Sequence, residues 1–190
     1  MRTKPLILAT FFLFPLIHSL SADSWVGPYP RIFAPWTGNR GFKVVPPKAP
    51  TLNAQAVGTL FIVNDDGTDK IVWQTPLVNI PMYALVEPDG KYVITFDTYA
   101  HLGYEHALVI YDATGKVIAD LKLEDLFTKE EIDKHVESTV SSRFWCTGPQ
   151  IAALRLDGDS PLDIPYPWGK TLHIDPKTGK VTSTPTSPTH

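Results

Sequence analysis

The chain has 190 residues, 43% hydrophobic, 11% aromatic and 19% charged, with 18 Pro, 12 Gly and one Cys, a balance that excludes disordered, collagen-like and coiled-coil classes. A formal net charge of -3 with no block of like charges gives no electrostatic reason to expect nucleic acid as a partner. The single cysteine excludes an intrachain disulfide.

Residues 1–22 read as a secretory signal peptide. Arg2 and Lys4 form a basic head, Pro5 to Leu20 an apolar run broken by Pro15 and His18, and Ser19, Ser21 and Ala22 a small-residue exit. The run is too broken to span about 30 Å of hydrocarbon. Cleavage after Ser21 or Ala22 gives a product expected to be secreted, periplasmic or extracellular, with no membrane association of its own. Without Arg2 and Lys4 the balance is 15 basic to 20 acidic residues, which favours solubility.

From 23 to 57 the chain is Pro-rich, with Pro28, Pro30, Pro35, Pro46, Pro47 and Pro50. Proline has no amide to give a sheet, so this segment reads as loop with one strand, Phe42 to Val45. A β-rich repeat domain follows over 58–182. Its strands are Thr59 to Val63, Lys70 to Trp73, Tyr92 to Phe96, Ala107 to Tyr111 and Lys116 to Ala119, short β-branched and aromatic runs. Asp65-Asp66-Gly67, Pro88-Asp89-Gly90 and Asp112-Ala113-Thr114-Gly115 between them are tight-turn signals, so the topology is expected to be antiparallel. Thr128-Lys129-Glu130-Glu131 has the form of a capping box and opens one short helix near 128–137. Ile151 to Leu156 and Thr171 to Ile174 read as further strands, and 183–190 as a disordered tail.

The pieces repeat. Leu60 to Gly67 matches Leu108 to Gly115 at an offset of 48, and Leu172 to Asp175 followed by Gly179, Lys180 and Val181 is a third, fainter copy. Each copy has a strand upstream: Phe42 to Val45, Tyr92 to Phe96 and Ile151 to Leu156. Repeats of this kind suggest small blade-like sheets. Three of them cannot close a propeller of at least four blades. An all-β architecture is therefore expected: an open or sandwich-like array of antiparallel sheets, with a β-trefoil-like barrel as the alternative.

The stretch Ala84 to Val93 resembles the opening strands of a β-propeller blade, and Val109 to Val117 its closing hairpin. Gly58 through Trp145, about half of the mature chain, is similar to an uncharacterised group of secreted bacterial proteins. That likeness lies in Asp89-Gly90-x-Tyr92-Val93, Thr95-Phe96-Asp97, Gly103-Tyr104 and Ile110-Tyr111-Asp112-x-x-Gly115. The resemblance implies a blade-like fold and no particular activity.

The richest polar cluster lies between two of these strands: Asp97, Tyr99, His101, Tyr104, Glu105 and His106. Loops on rigid sheets are where sites tend to sit, and His, Glu and Asp are the types that bind zinc or move protons. Their spacing matches no established metal signature. Asp65, Asp66, Asp157, Asp159 and Asp163 do not fit the twelve-residue calcium loop. No nucleophile elbow and no phosphate-cradling glycine loop is present, so no cofactor is expected. Two readings remain: a secreted non-enzymatic module that binds a protein, peptide or glycan through loops and Pro-rich sheet edges, or a metal-dependent hydrolase or lyase centred on Asp97, His101, Glu105 and His106.

Overall fold

A computed structural model describes residues 25–49 and 55–185; the segment read as a signal peptide lies outside them. Three consecutive meanders make up the fold. The first sheet holds β1 (Arg31–Phe33), β2 (Arg40–Val45), β3 (Val57–Val63) and β4 (Asp69–Pro76). The second holds β5 (Pro81–Val86), β6 (Tyr92–Thr98), β7 (Leu108–Asp112) and β8 (Val117–Leu121). Then come α1 (Leu123–Leu126), α2 (Lys129–His135), a small hairpin of β9 (Glu137–Ser138) and β10 (Arg143–Phe144), and α3 (Gly148–Ala153). The third sheet is β11 (Leu162–Tyr166), β12 (Lys170–Ile174) and β13 (Val181–Pro185). All these pairings are antiparallel. The array is all-β in the main and open, and separate sheets rule out the trefoil-like barrel.

The repeat seen in sequence is the outer hairpin of each sheet: β3–β4, β7–β8 and β12–β13. The turns share a backbone pattern, the amides of Gly67, Gly115 and Gly179 donating to the carbonyls of Asn64, Asp112 and Asp175. In the second, the Asp112 carboxylate accepts from the Thr114 amide at 2.7 Å and the Lys116 amide at 3.0 Å, while Gly115 takes φ +83, a value open to glycine without strain. Bulges at Leu60/Phe61 and Ile110/Tyr111 add twist to the first two hairpins.

The second sheet is sandwiched. One face of its strands, with Ala84, Val86, Val93, Val109 and Tyr111, packs on Phe42, Leu60, Trp73 and Leu77 of the first sheet and its exit. The other face, with Tyr92, Ile94, Phe96, Leu108 and Ile110, packs on the helices, Trp145 and the third sheet. This is why β6 is buried along its whole length: covering both faces calls for a continuous apolar run in place of alternation.

Four expectations need correction. Ile151 to Leu156 is not the opening strand of the third sheet; α3 takes Ile151–Ala153, and β11 lies downstream. Thr147 caps α3, its hydroxyl accepting from the Gln150 amide at 3.3 Å, with Pro149 in the first turn, local signals that favour a helix at this point. There are three helices among the described residues and not one. Among its described residues the Pro-rich segment has a strand besides the one expected, because β1 forms beside β2. Residues 183–185, expected in the tail, belong to β13, which runs to Pro185; 186–190 lie outside the described residues.

The helix near 128–137 is capped as its sequence says. The Thr128 hydroxyl accepts from the Glu131 amide at 3.3 Å, and the Glu131 carboxylate accepts from the Thr128 amide at 2.9 Å. Glu131 also takes Lys170 of β12 at 2.7 Å, tying the helix to the third sheet. Thr128→Ala is expected to cost about 1 kcal/mol in chemical denaturation, with the third sheet's amides exchanging faster as α2 frays.

Candidate functional site

The loop between β6 and β7 does not gather a site. Asp97 turns inward: it is buried, adopts φ +58, and its Oδ1 accepts from the Gly103 amide and the Trp145 indole, both at 2.8 Å. Its own carbonyl accepts from Asn79 at 2.8 Å. Burial pushes its carboxyl up to about 6 against those two hydrogen bonds. Gly103 must be glycine, because φ is +65 and a Cβ there would meet the Arg143 carbonyl at 2.6 Å. Asp97 is thus the hub that ties the β6–β7 loop to Trp145, just past β10, and to the core.

Tyr99 meets Trp25 edge-on at 5.5 Å. His101 stacks flat on Tyr104 at 4.3 Å, and the Arg143 guanidinium lies 4.2 Å from the centre of the same tyrosine ring. His106 turns toward β8, where Asp120 sits 2.8 Å from Nδ1; this hydrogen bond raises its pKa against partial burial. Glu105 is exposed. Among the described residues no three His, Cys, Asp or Glu side chains are grouped to hold a metal ion.

Other candidates are absorbed in the same way. Asp66 accepts from the Thr68 amide at 2.9 Å as a turn residue. Asp159 pairs with Lys177 at 3.1 Å and takes the Tyr92 hydroxyl at 3.1 Å. The Cys146 thiol, pushed up to about 12 by burial and by the Asp97 charge, is no nucleophile at neutral pH. One constellation was not legible in sequence: His173 of β12 reaches Asp163 on β11 at 2.7 Å and the Thr184 hydroxyl on β13 at 2.8 Å. It is a cross-strand ladder on the solvent side of the third sheet, opposite the buried Leu172 and Ile174.

A concavity walled by separate elements lies elsewhere, at the edges of the first two sheets. A groove of about 380 Å³ has the open edge of β5 as its floor, β1 and the following Ala34–Trp36 stretch as one wall, and α3 with Leu154 to Leu156 as the other. β1 lies beside β5, with Arg31 donating to the Met82 carbonyl, and Arg40 of β2 donates at 2.7 Å to the Pro88 carbonyl just beyond β5. At one end a Cβ on Gly148 would meet the Tyr83 hydroxyl at 2.5 Å. At the other, the Arg155 guanidinium lies 4.9 Å from the centre of the Trp36 ring. Trp36 is 72% exposed and Ile32 64%, whereas Trp73 and Trp145 are core residues.

The floor carries polar groups. The Glu87 amide bonds the Tyr92 carbonyl, so in the β5–β6 register odd-numbered residues face β6 and even-numbered residues face the groove. The Met82 carbonyl is taken by Arg31. The amides and carbonyls of Ala84 and Val86 have no hydrogen-bond partner among the described residues. Sequence reasoning missed this groove because α3 reads as a strand and β1 has only three residues, Arg31-Ile32-Phe33. The available signal was the Pro-rich edge with its tryptophan. No family matches the chain, and no curated protein or solved structure matches it significantly.

Proposed function

We propose that this chain is an exported, non-enzymatic interaction module whose ligand lies in the groove between β1, β5 and α3. The observation that carries the reading is the groove's floor, a sheet edge whose backbone groups at Ala84 and Val86 face an apolar trough with one exposed tryptophan at its mouth. Concave apolar surfaces with a few directed polar groups are the usual form of a binding site, and open sheet edges are ready-made pairing surfaces. Among the described residues the groove lining holds no carboxylate, histidine or cysteine, and in the polar loop Asp97, Tyr104 and His106 are taken up by contacts with the framework.

Ala152 is exposed on α3 and lines the groove, so Ala152→Trp fills it without touching the core. On peptide and glycan arrays the wild type is expected to retain a ligand that Ala152→Trp retains at least tenfold less well, with equal melting temperatures. A ligand held equally by both would remove the groove from the reading. Elemental analysis separates the enzyme alternative: stoichiometric zinc in the mature protein that disappears with His101→Ala or His106→Ala would overturn the module reading.

A further inference from the structure

We infer that the groove takes an extended apolar peptide that adds as a strand to the free edge of β5 and places a carboxylate against Arg155. The inference rests on the binding-module reading and names its ligand. Two features select a peptide strand. The amides and carbonyls of Ala84 and Val86 point into the groove at the spacing of a β-ladder, and only a backbone offers alternating acceptors and donors at that spacing. The floor from Tyr83 to Val86 measures about 10 Å, the length of three to four strand residues. The walls suit alternate side chains, with Ile32, Phe33 and Trp36 on one side and Ile151 and Leu154 on the other.

The charge selects the carboxylate. Among the described residues lining the groove, Arg155 is the one with a charged side chain. Its Nη1 donates to the Ala152 carbonyl at 3.1 Å and the Leu154 carbonyl at 2.8 Å, and its plane lies against Trp36. These contacts hold the guanidinium at the groove mouth while its remaining N–H donors stay open to a ligand. Arginine is suited to such a role because its fork binds a carboxylate through two parallel hydrogen bonds. An acidic side chain and a free peptide C-terminus share this chemistry.

The test uses the protein without residues 1–22 and a hexapeptide of alternating valine and threonine in three forms: with a free C-terminus, with an amidated C-terminus, and amidated with a glutamate as its last residue. Titration is followed by amide NMR. The free-acid peptide is expected to bind, to protect the Ala84 and Val86 amides from exchange, and to lose about tenfold in affinity on amidation. Arg155→Gln should remove the difference between acid and amide. Recovery of affinity by the glutamate form assigns a side-chain carboxylate, and its failure to recover assigns a chain end; both support the proposal. A peptide that binds without protecting Ala84 and Val86, or with equal affinity in acid and amide forms, overturns it. If no peptide form binds but a glycan or a fatty acid enters the groove and is excluded by Ala152→Trp, the peptide inference fails and the module reading stands. If nothing enters the groove, both fail.

Discussion

Replacing Asp97 with asparagine is expected to abolish a fall in stability between pH 4 and pH 6. The carboxyl has an ordinary value of 3.8 and is raised to about 6 in the folded chain, chiefly by burial. Between those values the folded state holds a proton that the unfolded state has released. Stability from this group is therefore complete below 3.8, lost as pH rises to about 6, and constant above. The gap corresponds to about 3 kcal/mol. Asparagine at 97 keeps an oxygen for the Gly103 amide and the Trp145 indole, tolerates the left-handed backbone, and carries no charge to bury. The stability of Asp97→Asn relative to wild type should rise by about 2–3 kcal/mol from pH 4 to pH 6.5 and then level off, as read from urea midpoints. Carboxyls held low by hydrogen bonds and lysines, such as Asp66, Asp159 and Asp175, act in the opposite sense at lower pH in both proteins and cancel in the difference. A difference that stays flat across this range would show that Asp97 is not a buried charge.

The larger loss is expected from Trp145→Ala, at about 4–5 kcal/mol. The indole is 3% exposed, stacks on Phe96 with 6.1 Å between ring centres and meets Phe127 edge-on at 6.4 Å. Its removal opens a cavity where the second sheet meets the helices. It also takes one of two donors from the Asp97 carboxylate, which adds to the cost when that group is charged. Against a typical stability of about 5–15 kcal/mol the variant sits near unfolding. Trp145→Phe separates the two contributions: it keeps an aromatic ring, is expected to cost about 1–2 kcal/mol at pH 7, and in the Asp97→Asn background should cost less, because no charge is left under-bonded. An equal cost in both backgrounds would show that the hydrogen bond contributes nothing.

These two residues also explain the polar run from 97 to 106. Thr95-Phe96-Asp97 and Gly103-Tyr104 are the parts of a latch: Asp97 binds Gly103 and Trp145, and Tyr104 lies between His101 and Arg143. Read in one dimension, a carboxylate and two histidines within ten residues look like chemistry. In three dimensions Asp97 faces the core, His101 lies on a ring and His106 is paired with Asp120. Nothing in their spacing reports those directions, since they depend on the left-handed turns at Asp97, Ala100 and His106.

Local physics was legible wherever it acts between near neighbours. Strand pattern and hairpin turns were readable because β-branched runs and Asp-to-backbone bonds act within a few residues, and the repeat followed from their recurrence. The capping box at Thr128 was readable for the same reason. What the tertiary structure decided depends on groups brought from far along the chain: that the second sheet would be covered on both faces, that α3 would replace the strand expected at 151–156, and that β1 and α3 would wall the edge of β5 into a groove. Thr147 and Pro149 favour a helix there, but an apolar run as short as Ile151 to Leu156 suits strand and helix alike. The final choice lay with Ile151, Leu154 and Leu156, which are buried in the core shared with the second and third sheets.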